Sequence, residues 1–250
     1  MIFNREKFKR TELLLGSKAM DRLEQSTVAV IGLGAVGSHA IEALARSGIG
    51  KLKIVDFDAV GISNFNRQLL ALESNIGRLK TEAAFERLKQ INPDMQVECF
   101  NTLCHKETFN YVFKSGTDFV IDAIDSLNPK VNILYELVQR NIPLVSSMGA
   151  ARRKDPTAIK TGDISETMGC PLAKSVRKRL RRMGVDSGIH CVYSTEIANK
   201  DSVSHNLEAN YFDSGRLRNP MGSLSMISGI FGYIAALEVI KMILHDIVEW

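Results

Sequence analysis

Apolar runs rich in β-branched residues alternate with segments of helical periodicity over the first 150 positions of the chain. TVAVIG, Thr27 to Gly32, has the length and composition of a buried strand, and Ala40, Ile41, Leu44 and Ala45 then recur at the spacing of one helix face. The alternation continues through KLKIVDFD (Lys51 to Asp58), a helix over Lys80 to Ile91, a strand at Met95 to Phe100 and a short helix near Lys106 to Lys114. TDFVIDAID (Thr117 to Asp125), a helix over Pro129 to Arg140 and the strand IPLVSSMG complete the series. Strands that are apolar along their length and separated by helices predict a mostly parallel sheet covered on both faces, a doubly wound α/β fold.

After Gly149 the rhythm breaks. PLAKSVRKRLRRMG (Pro171 to Gly184) reads as a helix with six cations and no anion, and HCVYSTE (His190 to Glu196) as one more strand. Residues Ile197 to Met221 read as polar loop, and Ser223 to Leu244 as a helix with an apolar face. The pattern predicts a single domain over 1–250: an N-terminal helical segment (1–26), a first half at 27–150, and an elaborated second half at 151–250 with the basic helix and the C-terminal helix.

Composition narrows the class. Of 250 residues, 45% are hydrophobic and 24% charged, which suits a globular protein and excludes a disordered or fibrous one. The net charge of +4 is too small an excess to declare a nucleic-acid binder. Cys99, Cys104, Cys170 and Cys191 form no C-x-x-C pair, so reduced thiols in a cytoplasmic protein are expected and zinc is not. The amino terminus is charged throughout and lacks the apolar run of a secretory signal. Asn219 to Leu237 is uncharged but holds Pro220 among several serines and glycines, so no transmembrane segment is expected.

Candidate chemistry begins at Gly32, Gly34 and Gly37, a G-x-G-x-x-G turn directly after a strand and opening a helix. Glycines there allow a tight turn, close approach of a phosphate and tight helix–strand packing, and the helix N-terminus favours the anion. Asp56 follows Gly37 by 19 residues, where an acid commonly accepts hydrogen bonds from a ribose. A dinucleotide-dependent oxidoreductase fits equally well up to this point. Asp58, Asn64, Asn66, Arg67 and Lys80 then break the tie. Hydride transfer has no use for them, whereas a triphosphate needs cations on its oxygens and a carboxylate for magnesium.

The glycine turn, the string D-x-D-x-V-x-x-S-N-x-N-R-Q from Asp56 to Gln68, the G-x-x-K ending at Lys80, and DAIDS from Asp122 to Ser126 resemble the ubiquitin-activating-enzyme-like superfamily, the ThiF/MoeB/HesA group. The resemblance implies a Rossmann-like fold that adenylates carboxylates with ATP and Mg2+. It implies that Gly32, Gly34 and Gly37 hold the nucleotide, Asp56 the ribose, Asn66 and Arg67 the phosphates, Lys80 the α-phosphate region and Asp125 the magnesium. Arg67, Lys80 and Asp125 are the catalytic candidates. Asp58 has two readings, a further cofactor contact or a strand-end cap. The resemblance also implies a homodimer in which Arg10 completes the neighbouring subunit's site.

Carrier-protein adenylyltransferases of this group generally have paired C-x-x-C zinc motifs, which this chain lacks. The phrases VDFDAVGISNFNRQLLAL, LKQINPD, VIDAIDSLNPK, IPLVSSMGAARRKDP, CVYSTE and SMISGIFGYIAALEVIKMI instead resemble the tRNA threonylcarbamoyladenosine dehydratases. That branch implies a tRNA substrate whose threonyl carboxylate is adenylated and then cyclised, and admits a sulfur-metabolism protein partner. Activation of the C-terminus of a ubiquitin-like sulfur carrier is the alternative. A tRNA substrate would give Lys174, Arg177, Lys178, Arg179, Arg181 and Arg182 a purpose as a phosphate-binding face, extended by Arg152, Arg153 and Lys154; the plain reading is a solvated surface helix. Cys191, beside His190, is either a thioester-forming nucleophile or a buried core thiol.

Overall fold

The computed structural model describes residues 4–199, 201–203, 210–211, 217–218 and 220–250. Seven strands, β1 (Thr27–Ile31), β2 (Lys51–Val55), β3 (Gln96–Phe100), β4 (Phe119–Asp122), β5 (Leu144–Ser147), β6 (Ile159–Asp163) and β7 (His190–Ser194), form one sheet in the order β3-β2-β1-β4-β5-β7-β6. All neighbours are parallel except β6, which runs antiparallel to β7 at the edge. The order reverses direction between β1 and β4, and the crevice beyond the carboxyl ends of strands at such a switch point is where open α/β sheets bind ligands.

The helices are α1 (Lys9–Leu15), α2 (Ser17–Gln25), α3 (Gly37–Ser47), α4 (Lys80–Ile91), α5 (Phe109–Phe113), α6 (Leu127–Gln139), α7 (Pro171–Arg181) and α8 (Ser225–Ile243). Alternation along each strand splits the interior into two cores. Val28 and Val30 pack with Leu23, Ala40, Leu44, Ala84, Phe231 and Val239, whereas Ala29 and Ile31 pack with Phe109, Leu134, Leu137 and Val176. Helices α2, α3, α4 and α8 therefore cover one face, and α5, α6 and α7 the other. The central strands β1, β2 and β4 are buried along nearly their whole length, which is why they read as apolar runs, whereas the edge strand β3 is only partly buried.

Three strands escape the hydrophobic pattern. In β6 only Ile159 is buried, and its IKTGD sequence resembles a loop because an antiparallel edge strand meets solvent. Within the expected polar loop, β8 (Asn210–Tyr211) and β9 (Leu217–Arg218) make a short antiparallel ladder. The basic helix ends at Arg181 rather than at Gly184, whose φ of 81° belongs to the turn that follows.

Helix α8 has the length and apolar character to cross a membrane, yet Ile227, Phe231, Ala235, Val239 and Ile243 are buried in the sheet's own core. It lies unusually close to α3. A Cβ at Gly232 would stand 2.4 Å from the Val36 carbonyl oxygen and 2.8 Å from His39 Cβ. At the other end of α3, Met20 and Phe8 close over Gly48, which fixes the N-terminal helices to that end. The buried Glu42 on α3 accepts from Arg87 Nε of α4 and from Arg46 Nε, both at 2.7 Å, and so ties the two helices together.

Gly232→Ala tests the α3–α8 contact. Alanine gains about 1 kcal/mol of helix propensity, but the overpacking cost should exceed it, for a net loss of roughly 1–2 kcal/mol. Urea denaturation reads this directly, and a midpoint equal to or above the parent's would contradict the packing.

Candidate active site

The three glycines of the turn do different work. Gly32 has a φ of 90°, and a Cβ there would meet the Ala123 carbonyl oxygen at 2.9 Å. A Cβ at Gly37 would lie 1.8 Å from the Gly32 carbonyl oxygen. Chain packing alone demands both. At Gly34 the nearest atom to an added Cβ is Gln68 Nε2 at 3.9 Å, so that position leaves room for an outside group at the N-terminus of α3.

Asp56, one residue past β2, braces this turn. It is buried, its Oδ2 accepts from the Leu33 backbone N–H at 2.6 Å, and its Oδ1 accepts from the Asp58 N–H at 2.8 Å. Burial pushes the Asp56 carboxyl above the ordinary range, opposed by the Lys80 charge and those two hydrogen bonds. Lys80 is the first residue of α4, only 4% exposed, and its Nζ lies 2.9 Å from Asp58 Oδ2. A cation at a helix N-terminus opposes the macrodipole. Asp58 offsets that cost, and the lysine is held where anionic ligands would sit.

Arg67 and Asn66 come from the loop between β2 and α4. Arg67 Nη1 donates to the Ser63 carbonyl and to Asn66 Oδ1, each at 2.8 Å, and Asn66 Nδ2 donates to the Ser223 carbonyl at 3.1 Å. The Leu69 N–H donates to Ser38 Oγ at 3.2 Å, which docks the loop on the first turn of α3. Partial burial lowers the Arg67 guanidinium pKa, and the Asp125 carboxylate works against that shift. Asp125 sits three residues past β4 and accepts from Ser126 Oγ at 3.2 Å.

Gly32, Gly34, Gly37, Asp56, Asp58, Asn66, Arg67, Lys80 and Asp125 thus gather at the carboxyl ends of β1, β2 and β4. Gln68 belongs with them although its residue type carries no charge to draw attention: it flanks Gly34, and its Oε1 is buried without a hydrogen-bond partner.

Arg10 is not among them. It is exposed on α1, two residues after Phe8, which closes over Gly48 at the far end of α3, a helix whose 11 residues span about 16 Å. Cys191 is also elsewhere. It lies within β7, fully buried, in register with Ser146, and burial pushes its thiol well above the ordinary range. A nucleophile must be thiolate, so the thioester reading gives way to the core thiol.

The basic helix divides. Ala173, Val176 and Leu180 face the core, while Lys174, Lys178, Arg179, Arg181 and Arg182 are exposed. Arg177 leaves the cationic face, because its Nη1 donates to the Thr167 carbonyl and hydroxyl. Arg152 and Arg153 do not extend that face either. Arg152, with a φ of 65°, donates to the Asn199 and Ala198 carbonyls, and Arg153 is buried and donates to the Gly169 carbonyl.

A model of the ThiF family matches residues 8–249. This chain belongs to the ThiF family. It is 39% identical over 242 residues to the tRNA threonylcarbamoyladenosine dehydratase of Bacillus subtilis, a match covering 96% of this chain and 95% of that protein. Its structure is similar to that of the E. coli tRNA N6-threonylcarbamoyladenosine dehydratase TcdA in complex with ATP, with a TM-score of 0.88, 33% identity and 98% of each chain covered. A further likeness is partial: adenylyltransferase and sulfurtransferase MOCS3 of Drosophila yakuba is 34% identical over 140 residues, 56% of this chain and 30% of that one.

The glycines separate packing from binding. Gly37→Ala should lose cooperative unfolding in circular dichroism, whereas Gly34→Ala should keep the parental Tm while binding ATP at least roughly tenfold more weakly by calorimetry, about 1.4 kcal/mol. Parental ATP affinity in Gly34→Ala would remove the turn from the binding site.

Proposed function

We propose that this protein is an ATP-dependent dehydratase that adenylates the threonyl carboxylate of threonylcarbamoyladenosine in tRNA and cyclises it. The observation that carries this reading is the end-to-end likeness, in sequence and in fold, to dehydratases of that name, one of them in complex with ATP. The carrier-protein alternative rests on a match to little more than half of the chain.

A carboxylate oxygen attacks the α-phosphorus of ATP and pyrophosphate leaves. A carbamoyl atom then attacks the activated carboxyl carbon, the carbon–oxygen bond to AMP breaks, and AMP departs while a carbamoyl N–H proton is lost to solvent, so that the ring closes with the net loss of one water. Phosphoryl transfer of this kind needs positioned charge more than covalent help from the protein. Gly34 gives the phosphates room, Asp56 offers its remaining lone pairs to the ribose, Arg67 and Asn66 take phosphate oxygens, and Lys80 meets the charge that develops at the α-phosphate. The Lys80–Asp58 pair supports this role by keeping the ammonium in place before ATP arrives.

Magnesium fits Asp125. Among the described residues no cluster of three or more His, Cys, Asp or Glu side chains could enclose a metal, but Mg2+ is commonly held by one or two carboxylates together with substrate phosphates. When bound it would neutralise phosphate charge beside Arg67.

The exposed cations Lys174, Lys178, Arg181 and Arg182 run along one side of α7 and suit a tRNA backbone. Leu13 and Leu14 on α1, with Met226, Tyr233 and Leu237 on α8, are large apolar side chains left in solvent, which supports a homodimer in which Arg10 reaches the other copy's site. We place the protein in the cytoplasm, a location compatible with a tRNA substrate, and a sulfur-metabolism partner rests on the family resemblance alone.

Incubating the protein with ATP, Mg2+ and tRNA containing threonylcarbamoyladenosine should give a nucleoside lighter by one water in mass spectrometry. Arg67→Ala and Lys80→Ala should each lose roughly 10²–10³-fold in turnover, the scale of removing one preorganised electrostatic donor. Unmodified tRNA alongside an adenylated sulfur-carrier C-terminus would instead establish the alternative. The triple variant Lys178→Ala/Arg181→Ala/Arg182→Ala should raise KM for tRNA and flatten its log–log salt dependence by roughly 0.7–0.9 per lost phosphate contact. An unchanged salt slope would leave α7 as a solvated helix.

A further inference from the structure

Beneath the loop that carries Asp125 lies a charged cluster with no exposure at all. Lys130, in the first turn of α6, places Nζ 2.6 Å from Asp122 Oδ2, and both side chains are fully buried. The parallel register sets Asp122, Ser146 and Cys191 side by side on β4, β5 and β7. Ser146 Oγ donates to Asp122 Oδ2 at 2.6 Å. A buried ion pair of this kind seldom adds net stability, because desolvating two charges costs about as much as their attraction returns. The cluster therefore calls for another explanation, and its remaining hydrogen bonds supply one.

Asp122 Oδ1 accepts from the Ile124 N–H at 3.0 Å, and Lys130 Nζ donates to the Ile124 carbonyl at 3.0 Å. The residue immediately before Asp125 is thus held at both its donor and its acceptor by the same ion pair. On one side the Ala123 N–H donates to the Ile31 carbonyl at 2.9 Å, and on the other the Lys130 N–H donates to the Ser126 carbonyl at 3.2 Å. The same backbone forms the wall against which the glycine turn rests, since a Cβ at Gly32 would meet Ala123 O at 2.9 Å and Ile124 N at 3.4 Å.

We propose that Lys130, acting through Asp122 and the Ile124 carbonyl, is a positioning residue that fixes the Asp125 loop for phosphate chemistry. This rests on the assignment of Asp125 to the ATP site. Lys130 touches no substrate in this role. It determines where the Asp125 carboxylate stands relative to Arg67 and the glycine turn, and an ammonium does so where an apolar residue would satisfy packing alone.

The test is the double variant Asp122→Asn/Lys130→Met, which removes both charges together so that neither is stranded in the core. It is compared with Asp125→Asn and the parent. Amide hydrogen exchange of peptides spanning 122–127 should quicken at least tenfold in the double variant, while protection in β1 and in the core of α6 stays parental. Its kcat for tRNA-dependent pyrophosphate release should fall roughly 10- to 100-fold, the scale of a misplaced catalytic group, with a smaller change in KM for ATP. A cooperatively folded double variant with parental kcat, or with parental exchange over 122–127, would overturn the positioning role. Parental turnover in Asp125→Asn would instead remove the Asp125 assignment on which the role rests. Should the double variant not fold, Ser146→Ala, which removes a single hydrogen bond to Asp122, should show the same pattern in milder form, and parental values for both readouts would overturn the proposal.

Discussion

The hydrogen bond from the Leu33 N–H to Asp56 Oδ2 is the joint on which the site depends. It locks the glycine turn after β1 to the end of β2, and the other oxygen of the same carboxylate sets the backbone of Asp58. Asp58 in turn holds Lys80, so one buried acid organises the glycine turn, a cation and the start of α4. Burial raises the pKa of that acid, and the Lys80 charge and the two backbone hydrogen bonds work against the rise.

Charge in this protein sorts by burial. Two buried cations, Lys80 and Lys130, each face a carboxylate at the carboxyl edge of the sheet, whereas the equally buried Lys53 and Arg153 donate to backbone carbonyls. The exposed cations of α7 have the opposite character. Arg181 pairs with Asp186 at 3.2 Å across solvent, a contact worth little to stability. Cations of that kind suit a mobile polyanion, whereas buried pairs suit a fixed small ligand.

Much of the architecture was legible in the sequence. Apolar strands alternating with helices announce a sheet covered on both faces, and the order of Gly32, Asp56, Arg67, Lys80 and Asp125 carries a resemblance to the ThiF group that implies a phosphate site. Other features were hidden. Strand β6 is polar because it lies at an edge, and Gln68, the last residue of the motif string, carries no charge to suggest that it stands beside Gly34. Arg152, Arg153 and Arg177 belong to cationic runs, yet the fold turns their guanidinium groups onto backbone carbonyls.

By itself, the sequence determined the local periodicities, the glycine turn and the set of residue types able to manage a triphosphate, since these depend on near neighbours and on side-chain chemistry. Only the tertiary structure decided which charges stay buried and which meet solvent. Lys130 reads as one more polar position on a helix until the register of β4, β5 and β7 sets Asp122 and Ser146 beneath it. Cys191 reads as a core residue with a nucleophile as the lesser alternative until the sheet closes around it and disfavours the thiolate. Burial is a property of contacts between distant segments, and the energy of a charge depends on burial more steeply than on anything written locally in the chain.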